Sequence, residues 1–238
     1  MRALGVVPAR GGSKAIPHKN LADLGGVPLL HWTAAASRAS RLTQVVLSTD
    51  DDRIAEEGLA AGLEVPFRRP DELATDSASS IDVALHALDA VDGDFDAVML
   101  LQPTSPFRTT RDIDDALDLL ATTGADSVIS LVDVGGHHPA RMKRVVNGRI
   151  VDPLYAESVE NQPRQELEPL AIRNGAIYLT RVATLRNRSF RGEDARALLM
   201  PPERSTNIDV EFDLLLARAV VAAGIVTPPA TSRGRSDA

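Results

Sequence analysis

Residues 3–20 read ALGVVPARGGSKAIPHKN and combine a buried strand with a basic, glycine-containing loop. The apolar run 3–7 is typical of a strand that is covered on both faces of a sheet. A glycine pair and three cations, Arg10, Lys14 and Lys19, follow at once. Glycine lets backbone amides approach an anion, and the cations neutralise its charge. A basic surface turn is the alternative, but the cations' place directly after a strand favours a phosphate site.

The composition is that of a globular chain with an aliphatic core. The 238 residues are 44% hydrophobic but 3% aromatic, and the formal net charge is −7. This acidic balance argues against general nucleic-acid binding, and the absence of cysteine excludes disulfides and thiolate metal sites. Neither a secretory signal nor an apolar run of membrane length is found, so we expect a cytoplasmic protein with no membrane partner.

Apolar strands alternate with amphipathic helices through the first half of the chain. The predicted strands are Ala3–Val7, Gln44–Thr49, Leu63–Pro66, Ala97–Leu101 and Ser127–Val132, and the predicted helices are Leu29–Ala39, Asp51–Ala61, Ile81–Val91 and Asp112–Ala121. Such alternation predicts a parallel sheet with right-handed crossovers. Ligands of such sheets bind beyond the carboxyl ends of the strands, where residues 10–19, 49–52 and 102–108 are expected to meet.

The pattern changes at Gly135. Residues 137–169 are polar and weakly periodic, and contain the hairpin signal Asn147-Gly148, which predicts an inserted arm. His137-His138 could suggest a metal, but a loop is favoured because no third histidine is near.

Apolar segments typical of a buried core occur again after the arm. Strands are predicted at Gly175–Leu179 and at Leu198–Met200, followed by a helix from Phe212 to Ala223. The predicted buried face of this helix consists of Phe212, Leu215, Leu216 and Ala219. Residues 227–238 are predicted to be a disordered tail, which leaves 1–226 as a single domain.

Three further segments carry candidate chemistry. In residues 102–108, QPTSPFR, Arg108 offers a fork for an anion, and a rigid loop ending in a helix cap is the alternative. Ser79 or Ser80 is predicted to cap the helix that follows, and contact with a base or ribose is a second possible role for these serines. The acids of residues 207–213, NIDVEFD, complement a helix dipole or, beside a phosphate loop, hold a divalent cation.

Together these motifs resemble the acylneuraminate cytidylyltransferase family, the CMP-sialic acid synthetases. The matching segments, in chain order from residue 1 to about residue 223, are 8–14, 16–17, 19–20, 48–50, 69–70, 73–74, 79–80, 101–106, 174–178 and 209–213. The resemblance implies a three-layer α/β sandwich with a mostly parallel central sheet, Rossmann-like and of the GT-A nucleotidyltransferase type. It also implies a homodimer built through the arm at 137–169. The implied reaction is transfer of CMP from CTP to the anomeric hydroxyl of a nine-carbon 2-keto sugar acid, with release of pyrophosphate.

The resemblance also implies roles for individual residues. The triphosphate would be bound by Arg10, Ser13, Lys14 and Lys19, with Asn20 beside the ribose. The cytosine would be read by Arg69, Ser80 and the backbone near Ala78. Gln102 would face the sugar acid, and the residues matched around the sugar and the dimer arm are Arg141, Arg164, Gln165, Tyr178 and Phe190. The catalytic set on this basis is Arg10, Lys14, Lys19, Gln102 and Asp209.

Asp209 matches the family's metal-binding aspartate, which implies Mg²⁺ as the cofactor. Many members have Asp-Ile-Asp where this chain has Asn207-Ile208-Asp209. An amide brings no charge, so we expect one directly held Mg²⁺, with Asn207 as a neutral ligand or a partner of Asp209. The alternatives are the same chemistry on a different sugar and a catalytically silent nucleotide-binding module. The intact cations and Asp209 argue against silence.

Overall fold

A computed structural model describes residues 1–157 and 159–230 of the chain. The strands are β1 Ala3–Pro8, β2 Gln44–Ser48, β3 Ala97–Leu100, β4 Ser127–Asp133, β5 Arg144–Val146, β6 Arg149–Val151, β7 Ala171–Arg181 and β8 Ala195–Leu199. The helices are α1 Leu29–Arg38, α2 Asp52–Ala60, α3 Ser80–Ala90, α4 Thr110–Thr123, α5 Val182–Arg186 and α6 Glu211–Ala222. The predicted tail lies outside the described residues from 231 onward. Its first part is described, and Pro228 lies against Gly25.

The central sheet has the strand order β2-β1-β3-β7-β4-β8. β1 pairs in parallel with β2 and β3, and β4 pairs in parallel with β8. β7 is inserted antiparallel between β3 and β4. The mostly parallel α/β sheet predicted from the sequence is therefore confirmed, and the carboxyl ends of β1, β2 and β3 lie side by side.

Helices cover both faces of this sheet because successive strand residues point to opposite sides. Val7 and Met99 pack with helices α1, α2 and α4 on one face, in a cluster that includes Leu30, Ile54 and Leu120. On the other face, alternate strand residues such as Val6 and Val98 pack against α3 and α5. The three-layer sandwich has an almost wholly aliphatic core, as the low aromatic content predicts.

Two predicted elements differ in the structure. Residues 63–66 form no strand, because their pairing with β2 is limited to a single bridge between Val46 and Glu64. The predicted buried face of α6 is exposed: Phe212, Leu215 and Leu216 face outward. Leu214 and Ala217 instead pack into a third cluster with Trp32 and Phe107.

The predicted arm is an irregular excursion between β4 and β7. It contains the hairpin β5–β6, in which Val146 pairs with Arg149 across the turn. Asn147 and Gly148 have φ values of +51° and +75°, the backbone that a two-residue hairpin turn requires. His138 caps a short turn by accepting from the Ala140 amide. Among the described residues, no helix is long and apolar enough to cross a membrane.

Candidate active site

A cleft opens beyond the carboxyl ends of β1 and β3, beside the start of α3. Its lining brings together eight of the residues predicted from the sequence: Arg10, Ser13, Lys19, Asn20, Arg69, Ala78, Ser80 and Gln102. Residues separated by up to 92 positions therefore meet at one edge of the sheet. Lys14 lies at the rim, where its amine pairs with Asp76 of the cleft wall.

The first loop is held against the start of α2. The Gly11 amide donates to Asp50 Oδ1 over 3.0 Å. A Cβ atom on Gly11 would lie 2.6 Å from Asp51 Oδ2, and Asp51 is the residue that caps α2. Glycine is thus required here for close approach to a carboxylate. The Gly11 amide thus meets an anion, but that anion is the Asp50 carboxylate of the chain and not a ligand phosphate.

Asn20 fixes the backbone of the same loop. Its side chain is buried, and its amide nitrogen donates to the Arg10 carbonyl over 3.0 Å. Lys19, one residue earlier, reaches across to the segment before α6. Its amine lies 2.9 Å from the Ile208 carbonyl and 3.3 Å from Asp209 Oδ1. The first loop is therefore tied to the candidate metal residue.

Acidic side chains pair with all three cations of the first loop. Arg10 lies 2.6 Å from Asp76 Oδ1, and Lys14 contacts the other oxygen of the same carboxylate. Hydrogen bonds from Lys14 and then Arg10 lower the pKa of Asp76 below its usual range. Asp76 was not predicted as a site residue. The sequence offers one signal for it, because Asp76 stands between Arg69 and Ser79, the cap of α3.

Arg69 forms the inner wall of the cleft. It is only 4% exposed, and its guanidinium donates to the Ser48 hydroxyl over 3.0 Å and to the Ser48 carbonyl. Burial lowers the pKa of Arg69 to about 10, an effect that Asp50 opposes and Arg10 reinforces. The group is still protonated at neutral pH. Ser79, the residue before Ser80, caps α3 by accepting from the Ile81 amide, which confirms the cap reading.

Arg108 does not offer a fork to an anion, and that expectation is wrong. The side chain is 3% exposed, and its donors are used by Thr33 Oγ1 at 2.8 Å, by the Ala176 carbonyl at 2.7 Å and by the Gln102 carbonyl. Burial lowers the pKa of Arg108 to about 9, which leaves the guanidinium charged at neutral pH. Arg108 therefore joins α1, β7 and the Gln102 loop, and the rigid-loop alternative is confirmed by the Thr109 cap of α4.

A large bulge in β7 forms the floor beside Gln102. Ile129 pairs with Tyr178 and Leu131 pairs with Arg173, so residues 174–177 lie opposite the single residue Ser130. Gly175 within this bulge has a φ of +78°. A Cβ atom there would lie 2.9 Å from Ser105 Oγ and 3.1 Å from Gln102 Oε1. The sequence motif around Gly175 was recognised, but its contact with Gln102 depends on the bulge.

The residues before α6 present one exposed carboxylate to the first loop. Asp209 is 64% exposed in its side chain, and its second oxygen accepts from the Asn207 amide over 2.6 Å. Asn207 Oδ1 in turn accepts from Ser105. Asp213 accepts from the backbone amides of Asp209 and Val210, which confirms its predicted role at the helix start.

These oxygen donors fit Mg²⁺, which is typically held by one or two carboxylates together with substrate phosphates. No group of three or more metal-binding side chains of the acid, histidine or cysteine type occurs in residues 1–157 and 159–230. Asp209 would therefore need phosphate oxygens and water to complete the coordination of the ion.

The residues matched to the sugar and the arm are not among those that line this cleft. Arg164 pairs with Asp133 over 3.0 Å and lines a separate groove with Gln165, while Arg141 donates to the Gln162 carbonyl. Tyr178 and Phe190 pack on each other, with ring centroids 5.7 Å apart, near α3. None of these five residues therefore lines the cleft of its own chain.

The fold and the cleft are those of a nucleotidyltransferase, and comparisons with known proteins agree. The family model described as cytidylyltransferase matches residues 4–182. The chain is 35% identical over 228 residues to the CMP-N,N'-diacetyllegionaminic acid synthase of Legionella pneumophila, covering 93% of this chain and 97% of that one. It is 32% identical over 219 residues to the N-acylneuraminate cytidylyltransferase of Streptococcus agalactiae, covering 90% of this chain and 52% of that protein.

Among solved structures, a CMP:2-keto-3-deoxy-manno-octonic acid synthetase complexed with CTP superposes with a TM-score of 0.71. Its sequence identity is 21%, and the match covers 94% of this chain and all of that one. That likeness bears on the fold alone. The chain belongs to the cytidylyltransferase family, as its motifs predicted.

Proposed function

We propose that the protein transfers CMP from CTP to the anomeric hydroxyl of a nine-carbon 2-keto sugar acid, such as N-acetylneuraminate or a related nonulosonic acid. The observation that carries the proposal is the cleft itself. It combines basic side chains of the first loop with Arg69 and Gln102 at the carboxyl ends of the strands. The relatives named for CMP-sugar synthesis align over nine-tenths of the chain.

In the reaction, the acceptor hydroxyl oxygen forms a bond to the α-phosphorus of CTP. The bond from that phosphorus to the oxygen bridging to the β-phosphorus breaks, and pyrophosphate leaves with the electron pair. Arg10, Lys14 and Lys19 stabilise the charge that develops on this leaving group. Gln102 orients the hydroxyl through its amide but cannot accept the proton, which passes finally to water.

The base would be read at the inner wall of the cleft. Arg69 is held rigidly by Ser48, and Ser80 and the backbone near Ala78 lie beside it in the lining. Backbone carbonyls of such a segment can accept from the cytosine N4 amine, where uracil carries an acceptor instead. This arrangement supports a preference for cytidine nucleotides.

Mg²⁺ would be held by Asp209, with Asn207 orienting that carboxylate through its amide. When bound, the ion supplies further charge stabilisation to the pyrophosphate leaving group. Lys19 contacts Asp209 and so places a cation of the protein at the same end of the cleft. Asp209 and Lys19 together define the position for the phosphates nearest to α6.

A homodimer would complete the sugar site. The arm exposes apolar side chains that a single chain leaves in water: Val145 is 75% exposed and Ile150 is 76% exposed. Exposed apolar surface on a projecting hairpin favours a protein partner. Because Arg141 and Arg164 lie outside the cleft of their own chain, we assign them to the sugar site of a second copy.

Release of pyrophosphate tests the proposal. The enzyme with Mg²⁺ is mixed with each of the four nucleoside triphosphates and with N-acetylneuraminate, a legionaminic acid derivative or the eight-carbon 2-keto-3-deoxy-manno-octonate. Release with CTP and a nine-carbon acid is expected, and Arg10→Ala serves as the inactive control. Absence of release with CTP and every nine-carbon acid, or a faster reaction with the eight-carbon acid, would overturn the assignment.

A further inference from the structure

The phosphate-binding cations already have an anionic ligand supplied by the chain itself. Asp76 places one carboxylate oxygen against Arg10, at 2.6 Å, and the other against Lys14. A single carboxylate thus bridges the two cations in the way that a phosphate group does. The bridge joins the first loop to the connection leading to α3 on one wall of the cleft.

This carboxylate is displaceable. The side chain of Asp76 is 45% exposed and that of Lys14 is 85% exposed, so water surrounds the bridge. Exposed ion pairs of this kind contribute little to stability, and a multiply charged anion competes with them effectively. Asp76 lies between a short turn, Asp71–Leu73, and the cap of α3 at Ser79, in residues without regular secondary structure. The connection can therefore move without disturbing the sheet.

We propose that Asp76 is an internal competitor for Arg10 and Lys14 that weakens the hold of the cleft on pyrophosphate and so promotes its release. The inference rests on the proposed function, because that function assigns the two cations to the departing phosphates. Phosphate oxygens and the Asp76 oxygens need the same donors, so only one of the two anions is bound at a time. Once CMP has been transferred, return of Asp76 to the cations displaces the pyrophosphate product.

The competition acts on ligands that occupy the two cations. Triphosphate and pyrophosphate must displace Asp76, whereas the single phosphate of CMP is bound beside the nucleoside and leaves the bridge in place. Removing the carboxylate charge should therefore tighten polyphosphate binding selectively. A general loss of negative charge near the cleft would tighten all anions instead.

The experiment is a calorimetric titration of inorganic pyrophosphate, tripolyphosphate and CMP into the full chain, with chelator present so that no metal contributes. Asp76→Asn should lower the Kd for both polyphosphates about three- to tenfold, in line with the modest strength of exposed ion pairs. The Kd for CMP should change less than twofold. Asp76→Glu, which keeps the charge, should behave like the wild type.

Asp71→Asn is the matched control, because Asp71 is an exposed carboxylate five residues earlier in the same connection. It should leave all three dissociation constants unchanged. In turnover, Asp76→Asn should be inhibited by pyrophosphate at three- to tenfold lower concentration than the wild type, on the same ground.

Unchanged or weaker polyphosphate binding in Asp76→Asn would overturn the inference, and so would equal tightening in Asp71→Asn. The two polyphosphate titrations need neither nucleotide nor acceptor. If the wild type binds polyphosphate but releases no pyrophosphate from CTP in the turnover assay, that result counts against the proposed function and not against the role of Asp76.

Discussion

Among the three cations of the first loop, Arg10 and Lys14 are more exposed than Lys19. Lys14 is mostly exposed, and Arg10 is tied to the rest of the molecule through Asp76 and through its own backbone carbonyl. Their exposed ion pairs add little to folding stability. Their contribution is therefore expected in binding and turnover.

Arg10→Ala and Lys14→Ala should each reduce turnover about 100-fold, because each removes a charge that stabilises the leaving group. The melting temperature should stay within about 3 °C of the wild type, since the lost ion pairs are exposed. Pyrophosphate release and calorimetric melting measure the two effects. Wild-type CTP affinity and rate in both variants would refute the phosphate assignment.

Substitutions of Asp209 and of Asn207 should differ sharply in their effect on Mg²⁺-dependent turnover. Asp209→Asn removes the single carboxylate and should lower turnover about 100-fold or more. Asn207→Ala should cost much less, because Asn207 carries no charge and contacts the Asp209 carboxylate through its neutral amide, and Asn207→Asp should be tolerated. A Mg²⁺ titration of the initial rate compares the three variants. Equal damage from Asn207→Ala and Asp209→Asn would disprove a single-carboxylate site.

The base pocket should prefer CTP to UTP. A mismatched buried hydrogen-bond partner costs about 1–3 kcal/mol, which corresponds to about a 5- to 150-fold difference in kcat/KM. The measurement compares kcat/KM for CTP and UTP with the same acceptor. Arg69→Lys should lower kcat/KM for CTP, because lysine cannot make the two hydrogen bonds by which the Arg69 guanidinium is held on Ser48. Equal kcat/KM for UTP and CTP in the wild type would contradict the pocket assignment.

At the level of elements, the bulge in β7 shapes the floor of the site. Two side chains hold its backbone: the Ile177 amide donates to Ser130 Oγ over 2.8 Å, and Arg108 donates to the Ala176 carbonyl. The bulge brings Gly175 against Gln102 and Ser105. A side chain at this position therefore acts on stability and on the site together.

Gly175→Ala should destabilise the fold by about 1–3 kcal/mol, because alanine is strained at positive φ. It should also lower turnover, since the new methyl group pushes Gln102 aside. Gly124→Ala is the matched control: Gly124 caps α4 with a φ of +69°, and a Cβ there meets no atom within 4 Å. The control should lose stability, as measured by urea unfolding, but keep its turnover. Normal turnover in Gly175→Ala would show that the bulge does not position Gln102.

At the level of the whole molecule, the arm at 137–169 exposes apolar side chains such as Val145 and Ile150. We expect a homodimer in solution, measured by light scattering after gel filtration. Ile150→Lys should shift the protein toward monomer, because a charge replaces an exposed apolar side chain of the hairpin. Leu59→Lys, at an exposed position of α2, is the control and should leave the protein dimeric.

In the dimer, Arg164→Ala should raise KM for the sugar acid and leave KM for CTP unchanged. This split is expected because Arg164 does not line the proposed CTP cleft of its own chain and instead lines a separate groove. A monomer with full activity at working concentration would count decisively against the arm assignment.

The strands, most helices and the gathering of the first loop with Arg69, Ser80 and Gln102 were predictable from the sequence. These features depend on local signals: apolar runs, helix periodicity, caps such as Ser79 and turn residues such as Asn147-Gly148. Once a parallel sheet is predicted, its strand ends must meet, so residues after those ends share one cleft.

Tertiary structure alone decided the contacts that depend on which elements become neighbours. The burial of Arg108 requires α1 and the β7 bulge to close around it, and the pairing of Asp76 requires the first loop to approach the connection before α3. For α6, periodicity identified an apolar stripe, but packing selected the neighbouring face with Leu214 and Ala217. Long-range packing determines which helix face is buried and which side chains pair. The candidates are equivalent in local sequence, so no local pattern could predict these contacts.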